Sequence, residues 1–205
     1  MSSQSRNAKG AGRPIQYDRA AAIEAATKLF FEKGFRDTSV QDVVSATGMQ
    51  TGSVYAAFGS KLALFLECLD TELGALDRRL EPLREVGSDP LLSLLAFWRV
   101  GQATFDRPSF AARALVDFTD RDSEVWQRVS VAWAERDGVI EDILRRAQEA
   151  GQVRSDLDAG QLQRHVSSLL LGVRFFRHYL FEPGCCTDVL SEETLIEFLQ
   201  PRAST

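Results

Sequence analysis

The sequence predicts an all-α protein, on three observations. Nearly every apolar stretch repeats with helical rather than alternating period. Helix start and stop signals recur along the chain: Ser, Thr or Asp before apolar runs, Gly or Pro after them. No segment offers the period-two pattern of a half-buried strand. The expected architecture is an N-terminal three-helix unit joined by a long helix to a C-terminal helical bundle. The expected divisions are a disordered basic arm at 1–15, a first domain at 16–62 and a second at 63–205.

The arm ends at Gly12-Arg13-Pro14. A helix is expected near 17–33, with Ile23, Ala26 and Phe30 on its inner face and Gly34 as a left-handed C-cap. Thr38, with Gln41 three residues on, reads as a capping box opening a second helix, which Gly48 stops. A third short helix is expected from Gln50 to about Ala56. Ser60 then caps a long fourth helix from Lys61 to about Val86, bent or broken at Pro82. Asp89-Pro90 opens a helix through Phe105, and Pro108 another through Phe118. Asp122 or Ser123 caps a helix over about 124–150, ended by Gly151. Asp158 with Gln161 resembles a capping box for a helix to about Phe181, and a last helix spans about 188–199 before Pro201.

The 205 residues carry a formal net charge of −5, unevenly spread. Residues 1–62 hold eight Lys/Arg against five acids, a net of +3, leaving −8 on the remainder. Such asymmetry suggests that one end meets a polyanion. Thirteen Phe and three Trp argue against a disordered chain. No apolar run is long enough to span a bilayer, and no signal-peptide pattern follows the polar N-terminus. Three Cys, two of them adjacent, make no disulfide framework. A reducing cytoplasmic setting is expected, with no membrane association.

The segment SVQDVVSATGMQTGSVYAAF fits two short helices about a Gly-containing turn. In a helix-turn-helix the first helix braces on the DNA backbone while the start of the second reaches base edges in the major groove. The exposed positions are expected to be Gln50, Thr51, Ser53 and Tyr55, with Gly52 permitting close approach and Val54 and Phe58 turned into the core. Gln can address adenine in a bidentate way, and Ser, Thr and Tyr can bond bases or phosphates.

The full register is more specific than the bare motif. Ala25-Ala26-x-x-Leu29-Phe30-x-x-x-Gly34-Phe35 precedes Thr38-Ser39-Val40, Asp42-Val43-Val44, Ala46-x-Gly48, Gly52-Ser53-Val54-Tyr55-x-x-Phe58 and Ser60-Lys61-x-x-Leu64. Over about residues 17–68 this closely resembles the N-terminal domain of the TetR family of bacterial repressors. The remainder resembles the family in helix count and length only. The resemblance implies a homodimeric, ligand-responsive transcriptional regulator, with double-stranded operator DNA and an unidentified small apolar or aromatic effector as partners and no cofactor or metal. It places Gln50, Thr51, Gly52, Ser53 and Tyr55 at groove contacts. Tyr55, Lys61 and the Thr38 end of helix two fall at phosphate positions, and Arg13, with Arg6 and Lys9, runs along the backbone or the minor groove. The sequence departs from the family pattern at Ala56-Ala57, where aromatic or His residues are common, and at Gly59.

In the second domain, Phe97, Trp98, Phe105, Phe118, Trp126 and Trp133, with Arg113, are candidates for an effector pocket, Arg99 and Asp117 being further polar candidates. Aromatics at helical spacing also suit a plain core. Leu162, Val166, Leu169, Val173 and Phe176 form a stripe suited to helix packing. Ser168, Gly172, Phe175 and Tyr179 form a second, partly apolar face of the same segment. With Leu195 and Phe198 the stripe is the expected dimer interface, since the family pairs its last two helices; a central helix of a monomer is the alternative. Cys185-Cys186 suggests at most a redox role, and His165 and His178, about 220° apart around one helix, cannot share a metal. No G-x-S-x-G, Walker A, H-E-x-x-H or paired CxxC pattern is present. A helical enzyme and a non-DNA-binding scaffold are the alternatives to a regulator.

Overall fold

The computed structural model describes residues 18–84, 89–103, 109–179 and 191–201, with the helix backbone alone at 100–103 and 173–179. Among these residues there are nine α-helices and no strand. They are α1 (Arg19–Lys33), α2 (Val40–Thr47), α3 (Thr51–Phe58), α4 (Lys61–Leu80), α5 (Pro90–Ala103), α6 (Phe110–Asp117), α7 (Glu124–Glu149), α8 (Ala159–Tyr179) and α9 (Glu192–Leu199). A 3-10 turn, Glu81–Leu83, follows α4, with Pro82 in its first turn, where a missing N–H costs nothing.

The caps are mostly those legible in the sequence. Asp89 accepts the Leu92 amide, and Ser123 that of Trp126. Asp158 and Gln161 bond each other's backbone amides reciprocally. One cap differs. The capping box of α2 is formed by Ser39 and Asp42, not Thr38 and Gln41. Thr38 is 1% exposed, and its hydroxyl donates to the Gly34 carbonyl at 2.6 Å. Gly34 has positive φ (83°), as a C-cap glycine often does, but an extended ψ of 163° rather than the left-handed one.

Two apolar cores share the molecule. The first unites α1–α3 with the start of α4, with α6 and with the first turns of α7, around Phe30, Phe65, Phe110 and Val129. Leu64, Phe65, Cys68 and Leu69 of α4 thus belong to the N-terminal core. The second joins the end of α4 to α5, α7, α8 and α9, around Trp98, Ile140, Leu144, Leu162 and Leu195. Between the two, the inner stripes of α4 and α7 are only half-buried, at Leu73 and Leu76 and at Ala132, Trp133 and Arg136. Arg154, buried, holds Asp156 through Nε at 2.6 Å and donates its backbone amide to the Leu199 carbonyl at 2.8 Å. Its charge suits the negative end of α9.

Candidate nucleic-acid interface

The helix-turn-helix is built from short-range pieces. Ser39 accepts the Asp42 amide at 3.1 Å, and Asp42 accepts the Ser39 amide at 2.8 Å, fixing the entry to α2. Lys33 of α1 pairs with the other Asp42 oxygen at 2.8 Å. The Lys33 ammonium, then the Ser39 bonds, hold the Asp42 carboxyl below the usual carboxylate range. Gly48 ends α2 in the left-handed region (φ 69°, ψ 7°), turning the chain so that Met49 is buried and α3 starts at once. Val54 and Phe58, one turn apart, anchor α3 in the core.

The opposite side of α3 faces solvent. Gly52, Tyr55 and Ala56 lie on it, with Gln50 and Thr51 exposed at its start and Ser53 half-buried. Tyr55 is 49% exposed, a large aromatic side chain left on the surface. Gln50 is the N-cap residue, but its side chain makes no capping bond, and its carbonyl accepts the Val54 amide at 3.0 Å. The connection to α4 is only Gly59 and Ser60, and α4 leaves α3 at a 61° bend.

Lys61 has a different setting from the one a free phosphate contact would have. Its Nζ donates to the Phe35 carbonyl at 2.8 Å and the Thr38 carbonyl at 2.6 Å, and it lies 4.4 Å from the Phe35 ring centroid. An ammonium has three donors, so one N–H remains. Thr38, turned inward, offers no side chain to a ligand. Exposed Ser39 and the first amides of α2 stand beside it instead. Arg13, Arg6 and Lys9 lie outside the described residues.

Among the described residues the aromatic candidates are spread over both cores. Trp98 is fully buried in the second core, with half-buried Phe97 packed against that core. Phe118 packs in the first core, its ring 4.9 Å from Phe35 and 5.2 Å from Phe65. Arg113 pairs with Asp117 at 3.2 Å beside Gly34. Trp126 lies under Arg121, and Trp133 against the first core under Arg136. Exposed Arg99 ties α5 to α9 through Glu192 at 2.6 Å. Phe105 lies outside the described residues. The split arises because α6 packs its C-terminal end on the turn between α1 and α2, carrying Arg113 and Phe118 away from Trp98.

The stripe expected at a dimer interface is likewise redirected. Leu162, Val166 and Leu195 are at most 1% exposed in the single chain, so they have no surface left for a partner. Leu169 and Phe198 are half-buried against the same core. The side chains of Val173, Phe176, Phe175, Tyr179 and His178, and Cys185 and Cys186 altogether, lie outside the description. On the outward face of α8, Arg164, His165 and Ser168 are exposed.

Three arrangements had no local signature. Arg19 at the start of α1 reaches α3 and α4. Glu72 of α4 accepts from Ser109 Oγ and from the Phe110 and Ala111 amides at 2.9–3.1 Å, capping α6 from another helix. Between α7 and α8, buried Gln163 donates to Ser167 Oγ at 2.9 Å and Ser167 to Asp137 at 3.1 Å, while Arg136 holds the same carboxylate at 2.6 Å. The Arg19 and Glu72 partners and the Ser167–Asp137 pair lie too far apart along the chain for periodicity or capping patterns to pair them. No group of three or more metal-ligating side chains occurs among the described residues. No single described helix is long and apolar enough to cross a membrane.

A helix-turn-helix with a solvent-facing second helix, joined to a body that is helical among the described residues, has the form of a DNA-binding regulator. Residues 22–68 match the family model described as "Bacterial regulatory proteins, tetR family", and residues 87–186 match "Tetracyclin repressor-like, C-terminal domain". The chain belongs to the TetR family. The HTH-type transcriptional repressor ComR of Escherichia coli (strain K12) is 45% identical over 62 residues, 30% of each chain, so the match spans less than a third of ComR. The HTH-type transcriptional repressor KstR2 of Mycobacterium tuberculosis (strain ATCC 25618 / H37Rv) is 26% identical over 165 residues, 78% of this chain and 81% of its own. The KstR2 structure shares the fold at a TM-score of 0.74 and 20% identity, over 92% of this chain and 97% of that one. A cysteine mutant of the TetR-family regulator CifR, solved with a 26-base-pair operator duplex, has a TM-score of 0.74 and 26% identity, covering 92% and 100%.

Proposed function

We propose that the protein is a homodimeric transcriptional repressor that binds a palindromic operator through α3 and leaves it when a small apolar or aromatic effector enters the helical body. The observation that carries this reading is the α3 surface. Val54 and Phe58 are buried, while Gln50, Thr51, Gly52, Tyr55 and Ala56 face solvent. Three small residues (Thr51, Gly52 and Ala56) and a large phenol on one exposed face suit close approach to a groove floor with an anchor at its edge. Gln50, its amide unused by the helix cap, would address a base; Thr51, Ser53 and Tyr55 would bond bases or phosphates. Lys61 would give its third N–H to a phosphate while its other two hold the turn before α2. At the other phosphate position, Ser39 and the start of α2 replace Thr38. Arg13 and the arm would follow the backbone or the minor groove. The CifR cysteine mutant, complexed with double-strand operator DNA, supports DNA as the partner.

A dimer would set two copies of α3 about 34–36 Å apart, one turn of duplex. The outward face of α8, at Arg164, His165 and Ser168, with the adjoining side of α9, is the surface open to such pairing. The half-buried seam between the two cores, bounded by Leu76, Trp133 and Arg136 with the Asp137–Ser167–Gln163 network nearby, is the place for the effector. The protein would act in the cytoplasm, where the chromosome lies. Differential affinity of the effector for the two arrangements of α3 would shift the dimer off DNA.

The test is binding to DNA from upstream of its own gene and to genomic fragments, over a salt series. Tight, selective binding with a steep salt slope, lost in Gln50→Ala Tyr55→Ala, is expected. These two side chains are exposed, so the variant keeps its fold. Absence of selective binding to any genomic fragment overturns the proposal.

A further inference from the structure

We infer that Arg19 is a positioning residue for the recognition helix, setting how α3 is presented to DNA without touching DNA itself. The inference rests on the DNA-binding reading above and goes beyond it. Arg19 is the first residue of α1, yet its guanidinium reaches two other helices. Nε and Nη2 donate to the two oxygens of Glu67 on α4 at 2.8 and 2.7 Å, a fork-to-fork pair. Nη1 donates to the Ala57 carbonyl at 3.2 Å, and the guanidinium carbon lies 4.7 Å from the Phe58 ring centroid.

Ala57 and Phe58 are the last two residues of α3. The last carbonyls of a helix have no intrahelical donor. Here Gly59 serves Tyr55, Ser60 serves Phe58, and Arg19 serves Ala57. A cation at this end also suits the helix dipole. The eight-residue α3 buries Val54 and Phe58, one turn apart, with half-buried Ala57 packed beside them, a narrow grip that leaves the helix open to rotation about that line. The Arg19 fork, braced on Glu67, holds the far end of α3 against such rotation. A small rotation there moves Gln50 and Tyr55 at the groove side, so loss of the brace costs base discrimination as well as affinity.

The experiment uses the full-length protein. Wild-type protein first selects a duplex from a randomised pool. Dissociation constants are then measured for that duplex and for a copy with one base pair changed per half-site, over a salt series, with the active fraction fixed by stoichiometric titration. Arg19→Ala is expected to weaken binding about tenfold, to lower the ratio between the two duplexes, and to leave the salt slope unchanged. Arg19→Lys, which keeps the charge but not the fork, is expected to behave alike. Glu67→Gln removes a negative charge from the DNA-binding domain, so electrostatics alone would tighten binding; the brace requires it to weaken binding and to lower the ratio. A slope reduced by about 0.9 with an unchanged ratio makes Arg19 a phosphate contact and overturns the inference. So does tighter binding by Glu67→Gln, or a reduced active fraction with unchanged constants. Failure of the wild type to select any duplex overturns the DNA-binding reading itself.

Discussion

The backbone amide of Phe35 donates to the carboxylate of Asp117 at 2.7 Å, across 82 positions of chain. Phe35 lies in the turn that leads into α2, and Asp117 is the last residue of α6. The same Phe35 accepts from Lys61 of α4 through its carbonyl. One residue at the entry to the helix-turn-helix is therefore held through its amide by the body and through its carbonyl by the connecting helix. Glu72 grips the opposite end of α6, so α6 is fastened at both ends between the two parts of the molecule.

Asp117→Ala is expected to cost about 2 kcal/mol in urea unfolding, the scale of a hydrogen bond to a charged group whose donor is left without its partner. The Phe35 amide should also lose its protection in hydrogen exchange. Unchanged protection would mean that α6 does not hold this turn. Gly34→Ala is expected to destabilise as well: φ is +83°, and a Cβ would lie 2.5 Å from Arg113 Nη2 and 3.2 Å from Asp117.

Phe65 is fully buried and meets Phe30, Phe35, Phe110 and Phe118 at centroid distances of 5.0–5.2 Å. Phe65→Ala should therefore cost about 3–5 kcal/mol. Phe65→Leu, which keeps most of the volume, should retain more of the stability. Equal losses for the two variants in equilibrium denaturation would argue against ring packing as the source.

Asp42 supplies an acid-dependent contribution. Its pKa is depressed in the folded state by Lys33 first and by Ser39 next. A depressed carboxyl stabilises the fold above its unfolded pKa, near 4, and the contribution fades as pH falls through the folded value. The stability gap between wild type and Asp42→Asn should be full at pH 6 and should narrow below about pH 4. Urea denaturation at pH 6 and pH 3 measures it; a gap that widens in acid would contradict this sign.

Burial pushes the Cys68 thiol up to about 12. At pH 8 it is a neutral thiol on α4 facing α1, with Sγ 3.6 Å from the Ile23 carbonyl. Iodoacetamide should leave the Cys68 peptide unmodified in native protein and alkylate it after denaturation, read by mass spectrometry of that peptide. Rapid native labelling would show that the N-terminal core opens readily.

The sequence by itself determined the helices, most of their caps and the register of the helix-turn-helix. These depend on groups within four residues of one another: Gly48 against α2, Asp158 against Gln161, Val54 against Phe58. Even the Thr38–Ser39 difference is one of choosing between adjacent hydroxyls, settled when Thr38 found the Gly34 carbonyl. Which helix each apolar face meets was decided only in three dimensions. The 4-3 spacing of Leu162, Val166 and Leu169 marks an apolar stripe, but the stripe of a subunit core and that of a dimer seam have the same period. Trp98 and Phe118 fell in different cores because α6 lies on the α1–α2 turn, a contact made by the Asp117 carboxylate and a backbone amide that carries no side-chain signal. Lys61, Arg19 and Glu72 each found backbone partners far along the chain, and nothing in a linear sequence marks an unsatisfied carbonyl or amide until the folded chain brings a charge to it.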